Sequence, residues 1–189
     1  MSTTSPPAPT RATLADLARA SGKAELIGGR IVPLMPAGLR PNLVAGRIYH
    51  GLADHVDATG LGVALTDNMG FAVPELPSGR ESFSPDVAYH GGPFSVDDMR
   101  FIQGPQTFAV EVRGENDYRP AAERALRAKR ADYSEAGTPV VWDVDPIAVR
   151  VRAYRATVPD QPTTFTGGQE AEAEPAVPGW RMSVDRFFP

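Results

Sequence analysis

Phe108-Ala109-Val110-Glu111-Val112-Arg113 opens the stretch on which the fold turns; a helical pattern follows from Arg119 to Ala136, then Val140-Val141-Trp142-Asp143-Val144. The two apolar, β-branched runs read as strands over 106–113 and 140–144, and the residues between them carry the 3.6-residue period of a helix. Glu111 is out of place in such a strand, because a carboxylate between Val110 and Val112 is costly to bury without a role. Along the helix, Ala122, Leu126, Lys129, Tyr133 and Ala136 share one inward stripe. Glu123, Arg124, Arg127, Arg130, Asp132 and Glu135 fall on the faces where solvated charge belongs. Lys129 is therefore expected to point inward and to find a carboxylate partner, since the helix should pack back on the strand that carries Glu111.

A second carboxylate stands in Ser84-Pro85-Asp86, where a strand over 86–89 begins. Asp86 after a proline also suits a plain strand-end turn. If both carboxylates enter one site they repel each other unless a cation or proton sits between them. A hard divalent metal with oxygen ligands from Asp86 and Glu111, and Lys129 beside it, is the economical arrangement.

Outward from this centre, Thr13-Leu14-Ala15-Asp16 reads as a capping box that opens a short helix running to about Ala20. Ala24-Glu25-Leu26-Ile27, Gly28-Gly29 and Arg30 to Met35 read as a β-hairpin. A helix is expected over 42–58, with Leu43, Val44, Ile48, Leu52 and Val56 as its apolar stripe and the Gly60 region as its stop. Further strands are expected at 62–66 and 70–73, and one with a wet face at 148–155; 74–82 and 159–175 read as loops. Trp180 and Phe187 should dock the C-terminal segment on the core. The order gives an α+β fold with a mixed central β-sheet flanked by helices.

With 189 residues, residues 1–11 read as a disordered leader and 12–189 as one domain. No apolar run approaches the length of a membrane span. The absence of cysteine excludes disulfides and thiolate metal sites and suits a cytoplasmic protein. The net charge of −4 speaks against nucleic-acid binding through overall charge, although basic residues outnumber acidic ones between 119 and 155. His50, His55 and His90 lack metal-ligand spacing, and Ser84 lacks the glycine context of a nucleophile elbow. Asn116 and Asp117 suit a cap for the helix at Arg119, and Tyr133 suits a core position with its hydroxyl hydrogen-bonded.

Taken in order, Glu25-Leu26-Ile27-Gly28-Gly29-Arg30-Ile31-Val32, Ser84-Pro85-Asp86-Val87-Ala88, Val110-Glu111-Val112-Arg113-Gly114-Glu115-Asn116-Asp117, Lys129, Tyr133, Gly137 and Val141-Trp142-Asp143-Val144-Asp145-Pro146 resemble the Uma-two family of restriction endonuclease-like proteins, over about 24–188. The resemblance implies the restriction-endonuclease-like core of the PD-(D/E)XK nuclease superfamily. It further implies an endonuclease dependent on Mg²⁺ or Mn²⁺ that hydrolyses phosphodiester bonds of nucleic acid, DNA above all. On that basis Asp86 and Glu111 become metal ligands, Lys129 orients or deprotonates the attacking water, and Glu25 is an additional acid of the catalytic site. Cutting both strands of a duplex would require two sites, hence a homodimer. Arg113 and Gly114 depart from the usual signature, which has lysine and serine there, and no histidine precedes Pro41-Asn42. A second reading is a nucleic-acid or protein binding module that keeps the fold with weak turnover or none.

Overall fold

The structure is a computed structural model that describes residues 11–189. Apart from Arg11, the expected leader lies outside the described residues. Helix α1 (Leu14–Leu17) starts at the Thr13–Asp16 capping box and is shorter than its expected end at Ala20. Strands β1 (Ala24–Ile27) and β2 (Arg30–Pro33) form the hairpin, whose turn needs Gly28 and Gly29 because both take positive φ, 57° and 67°. Helix α2 (Leu39–Thr59) begins three residues before the expected Asn42, since Pro41 fits the first helical turn, where its missing N–H is not needed. It ends at Gly60 in the left-handed region.

Strands β3 (Val63–Thr66), β4 (Phe71–Ala72), β5 (Ser82–Phe83), β6 (Val87–His90), β7 (Ile102–Gln103) and β8 (Phe108–Val112) follow. Helix α3 (Pro120–Ala136) then leads into β9 (Val140–Asp145) and β10 (Arg150–Arg155). The last strands are β11 (Thr163–Thr166), β12 (Glu170–Glu172) and β13 (Arg181–Ser183). The central sheet has the order β11-β10-β9-β8-β6-β3. Its β8–β9 pair is parallel, with α3 as the crossover, and its other pairs are antiparallel. The sheet is therefore mixed, as expected. The loop expected over 159–175 instead contains β11 and β12, the latter paired with β13. The loop expected over 74–82 ends in β5, which joins β4 and β7 in a small second sheet.

Side-chain alternation sorts the central sheet into two faces. Phe108, Val110 and Val112 of β8, with Trp142 and Val144 of β9, enter the larger core with Val44, Ile48 and Leu52 of α2. Leu43, expected on that stripe, is exposed. On this face the C-terminal segment closes the core: Trp180 stacks on Trp142 with centroids 5.1 Å apart, and its indole N–H donates to the Gly51 carbonyl at 3.0 Å. Phe187 lies 5.7 Å from Trp142. The opposite face holds Ala109 and Val141 with Tyr133 of α3, Phe71 and Phe83. Glu111 alternates onto this second face, beneath α3. The first core carries most of the apolar burial, so Trp180→Ala is expected to lower unfolding stability by about 3–5 kcal/mol, a loss that urea denaturation would measure.

Candidate active site

Register brings the two sequence-distant carboxylates together. Val87 of β6 faces Val110 of β8, so one residue beyond this pair Asp86 comes opposite Glu111. The Asp86 amide donates to the Val110 carbonyl at 3.1 Å, and the Val112 amide donates to Asp86 Oδ2 at 2.8 Å. Asp86 thereby terminates the ladder and holds a fixed orientation. Glu25, on β1, is nearly fully buried, and its Oε1 accepts the Ser84 N–H at 3.0 Å, which ties the hairpin to the Ser84-Pro85-Asp86 segment.

Lys129 reaches into this cluster from α3. Its ammonium lies 2.8 Å from Glu111 Oε1 and 3.0 Å from Glu25 Oε1. Tyr133, one turn on, donates its hydroxyl to the same Glu111 oxygen and stacks its ring on Phe83 at 4.2 Å. Glu25, Asp86, Glu111 and Lys129 thus line one cleft of about 930 Å³ between the hairpin, the end of β8 and the start of α3.

Two further cations complete the cluster. Arg80 donates to Glu25 Oε2 and, through Nε, to Asp132 Oδ2 at 2.8 Å. Lys23 lies 2.9 Å from Asp86 Oδ1 and 2.5 Å from Asp67 Oδ1. Neither stood out from periodicity, but composition carried a signal: the chain has 17 arginines and only two lysines, Lys23 and Lys129, and both are in this cleft. Asp132, Arg130 and Glu123, assigned above to solvated faces of the helix, are instead engaged. Arg130 pairs with the buried Asp143 at 2.9 Å. Arg113 grips Asp143 through two contacts of 2.6 Å and reaches Glu123 at 2.7 Å. Arg113 is therefore committed to Asp143. Asp117 closes a turn of 3-10 helix by accepting the Gly114 N–H at 2.7 Å and does not cap α3, whose N-cap is Arg119.

The electrostatics separate the two carboxylates that share Lys129. Burial works against the charge on Glu25, but Lys129, Arg80 and the Ser84 amide outweigh it and hold its carboxyl below the usual range. Glu111 is pushed the other way: burial raises its carboxyl, Lys129 offsets only part of this, and the charges of Asp86 and Glu25 raise it further. The Lys129 ammonium is disfavoured by burial yet held charged well above its ordinary range by Glu111 and Glu25.

Among the described residues, no group of three or more His, Cys, Asp or Glu side chains stands close enough together to hold a metal by itself. Mg²⁺, however, commonly takes one or two carboxylates and fills its shell with water and phosphate oxygens. The donors here fit that smaller demand. Asp86 and Glu111 are cross-strand neighbours, the contacts of Glu111 with Lys129 and Tyr133 both fall on Oε1, and no hydrogen bond among the described residues uses its Oε2.

A family model named Uma2 and described as "Putative restriction endonuclease" matches residues 12–185. The chain belongs to this family. A solved structure from Anabaena variabilis, described as "a putative nuclease belonging to DUF820", superposes with a TM-score of 0.71 over 93% of this chain and 97% of that one, at 16% identity. That likeness establishes the restriction-endonuclease-like fold of this Uma2 chain. No match was found among curated proteins.

The Glu111 carboxyl gives a pH test. Its folded-state value is raised, so the protonated form favours folding below the ordinary carboxylate range, and that contribution is lost as pH rises through the folded value. Glu111→Gln keeps an acceptor for Tyr133 and leaves Lys129 paired with Glu25. Its melting temperature is expected to equal or exceed the parent's at pH 7, with the difference closing below about pH 4. Thermal melts across this range would read the effect.

Proposed function

We propose that this chain is a divalent-metal-dependent endonuclease that hydrolyses phosphodiester bonds of nucleic acid, DNA above all, with residues 12–189 as its catalytic domain. The observation that carries the proposal is the Lys129 ammonium shared between Glu111 and Glu25, beside Asp86, at the wall of an open cleft. A cluster of carboxylates at the end of two strands has no packing purpose that apolar residues would not serve better. Membership of the Uma2 family supports the hydrolase class.

Asp86 and Glu111 are the residues that would hold Mg²⁺ or Mn²⁺, which when bound lowers the pKa of a coordinated water and offsets charge on the phosphate. Asp86 is preoriented by the Val112 amide, and Glu111 by Tyr133 and Lys129. Lys129 is held as an ammonium by Glu111 and Glu25 and stands as a donor at the cleft. Its role is to orient the attacking water and to stabilise negative charge as it develops on the phosphate oxygens. Glu25 holds the ammonium from behind and fixes the loop that presents Asp86.

The net charge of −4 makes long-range steering of nucleic acid weak, so recognition must come from local contacts at the cleft. Cleavage of both strands of a duplex calls for two such sites, which a twofold homodimer supplies. The absence of cysteine suits a reducing compartment such as the cytoplasm. Among the described residues, no helix is long and apolar enough to cross a membrane.

Plasmid nicking in Mn²⁺ tests the proposal. The parent should convert supercoiled plasmid to open circle, and Lys129→Met should do so about a hundredfold more slowly, the scale of one lost charge-stabilising donor. Metal binding should persist in this variant and be lost in Glu111→Ala. Lys129→Met also leaves Glu25 and Glu111 without their shared cation, so its rate must be read well below its melting temperature. Mn²⁺ binding without nicking by the parent would favour the reading as a binding module.

A further inference from the structure

Three cations, Lys23, Arg80 and Lys129, are paired with the site carboxylates Asp86, Glu25 and Glu111, and Lys23 and Arg80 each hold a second carboxylate, Asp67 and Asp132. A divalent cation that takes Asp86 or Glu111 meets the like charge of the ammonium already on that carboxylate. The contacts of each cation show which one can move. Lys129 is clasped by two site carboxylates and shielded beneath α3. Arg80 is buried between Glu25 and Asp132 and is 5.1 Å above the Phe83 ring. Lys23 alone of the three has its second partner, Asp67, with a side chain that is 50% exposed.

Lys23 also takes a coordinating position. Asp86 has two oxygens: Oδ2 is bound by the Val112 amide, which belongs to the backbone and cannot leave, and Oδ1 is bound by Lys23. The ammonium therefore sits on the Asp86 oxygen best able to change partners. Its backbone is anchored on both sides, by the turn at Gly22, with φ of 82°, and by the Leu34 amide, which donates to the Lys23 carbonyl at 2.9 Å. Only the flexible four-carbon stem needs to swing. In a chain with 17 arginines and two lysines, a lysine suits this task, since a compact ammonium can transfer between single oxygens whereas a guanidinium fork locks onto them.

We propose that Lys23 is a positioning residue that competes with the divalent cation for Asp86, yielding Oδ1 when the metal binds and remaining paired with Asp67. The inference rests on the metal reading of the site. Asp67 then acts as the receiving partner that makes release inexpensive, and the pair sets the affinity of the cleft for metal.

Isothermal titration of Mn²⁺ into the parent, Lys23→Met, Asp67→Asn and the double variant tests this. Removing the competing charge in Lys23→Met should tighten Mn²⁺ binding about tenfold or more, because a like charge within a few ångströms opposes the metal. Asp67→Asn leaves Asp86 as the only carboxylate paired with Lys23 and should weaken binding several-fold. In the Lys23→Met background the same Asp67→Asn change should have little effect, since Asp67 acts through the lysine; an ordinary long-range charge effect would persist there. If the parent binds Mn²⁺ and Lys23→Met binds it equally or more weakly, the proposal is overturned while the metal reading stands. If neither protein binds Mn²⁺, the metal reading itself fails and takes this inference with it. Should Lys23→Met fail to fold, Asp67→Asn, altered at a half-exposed side chain, decides alone: affinity equal to or above the parent's overturns the proposal.

Discussion

The Lys129 ammonium is the interaction on which the cleft depends. Glu111 lies on a strand whose neighbours are buried and Glu25 is itself nearly fully buried, so without a shared cation these two carboxylates would repel in a poorly solvated space. Lys129 can serve both because α3 is the crossover between the parallel strands β8 and β9, which lays the helix over the face onto which Glu111 alternates. Tyr133 anchors that helix in the second core against Phe83 and at the same time hydrogen-bonds Glu111. Fold and site are thus coupled: the residue that docks α3 is one turn from the residue that charges the cleft.

The same coupling explains the asymmetry of the carboxylates. Glu25 has three donors and is held ionised, whereas Glu111 faces the charges of Asp86 and Glu25 with only part of the needed compensation. Asp86, just before β6, and Glu111, on β8, bring carboxylates from two strands to the same end of the cleft. Lys23 reaches Asp86 from a third direction, through a turn that belongs to neither strand.

Much of this was legible from local pattern. The runs around Glu111 and Trp142 declared their strands, the 3.6-residue stripe put Lys129 and Tyr133 on the inward face, and glycine pairs marked the hairpin turn. The missed features depend on partners distant in sequence. The two-residue strands β5 and β7 exist only because β4 lies between them, and β12 only because β13 returns to it. Glu123, Arg130 and Asp132 look like solvated charge by periodicity; their partners Arg113, Asp143 and Arg80 come from β9 and from loops that helix phase alone cannot locate. Lys23 gave no periodic signal, and only the scarcity of lysine beside 17 arginines distinguished it.

The central claim is that the oxygens of Asp86 and Glu111 form a divalent-cation site fitted with a lysine. Anomalous diffraction from crystals of the full chain grown with Mn²⁺ tests it most directly. The account predicts an anomalous peak within about 2–2.5 Å of oxygens from both Asp86 and Glu111, with Lys129 still paired to Glu25. A well-ordered cleft without such a peak, or with Mn²⁺ bound only elsewhere on the molecule, would contradict it.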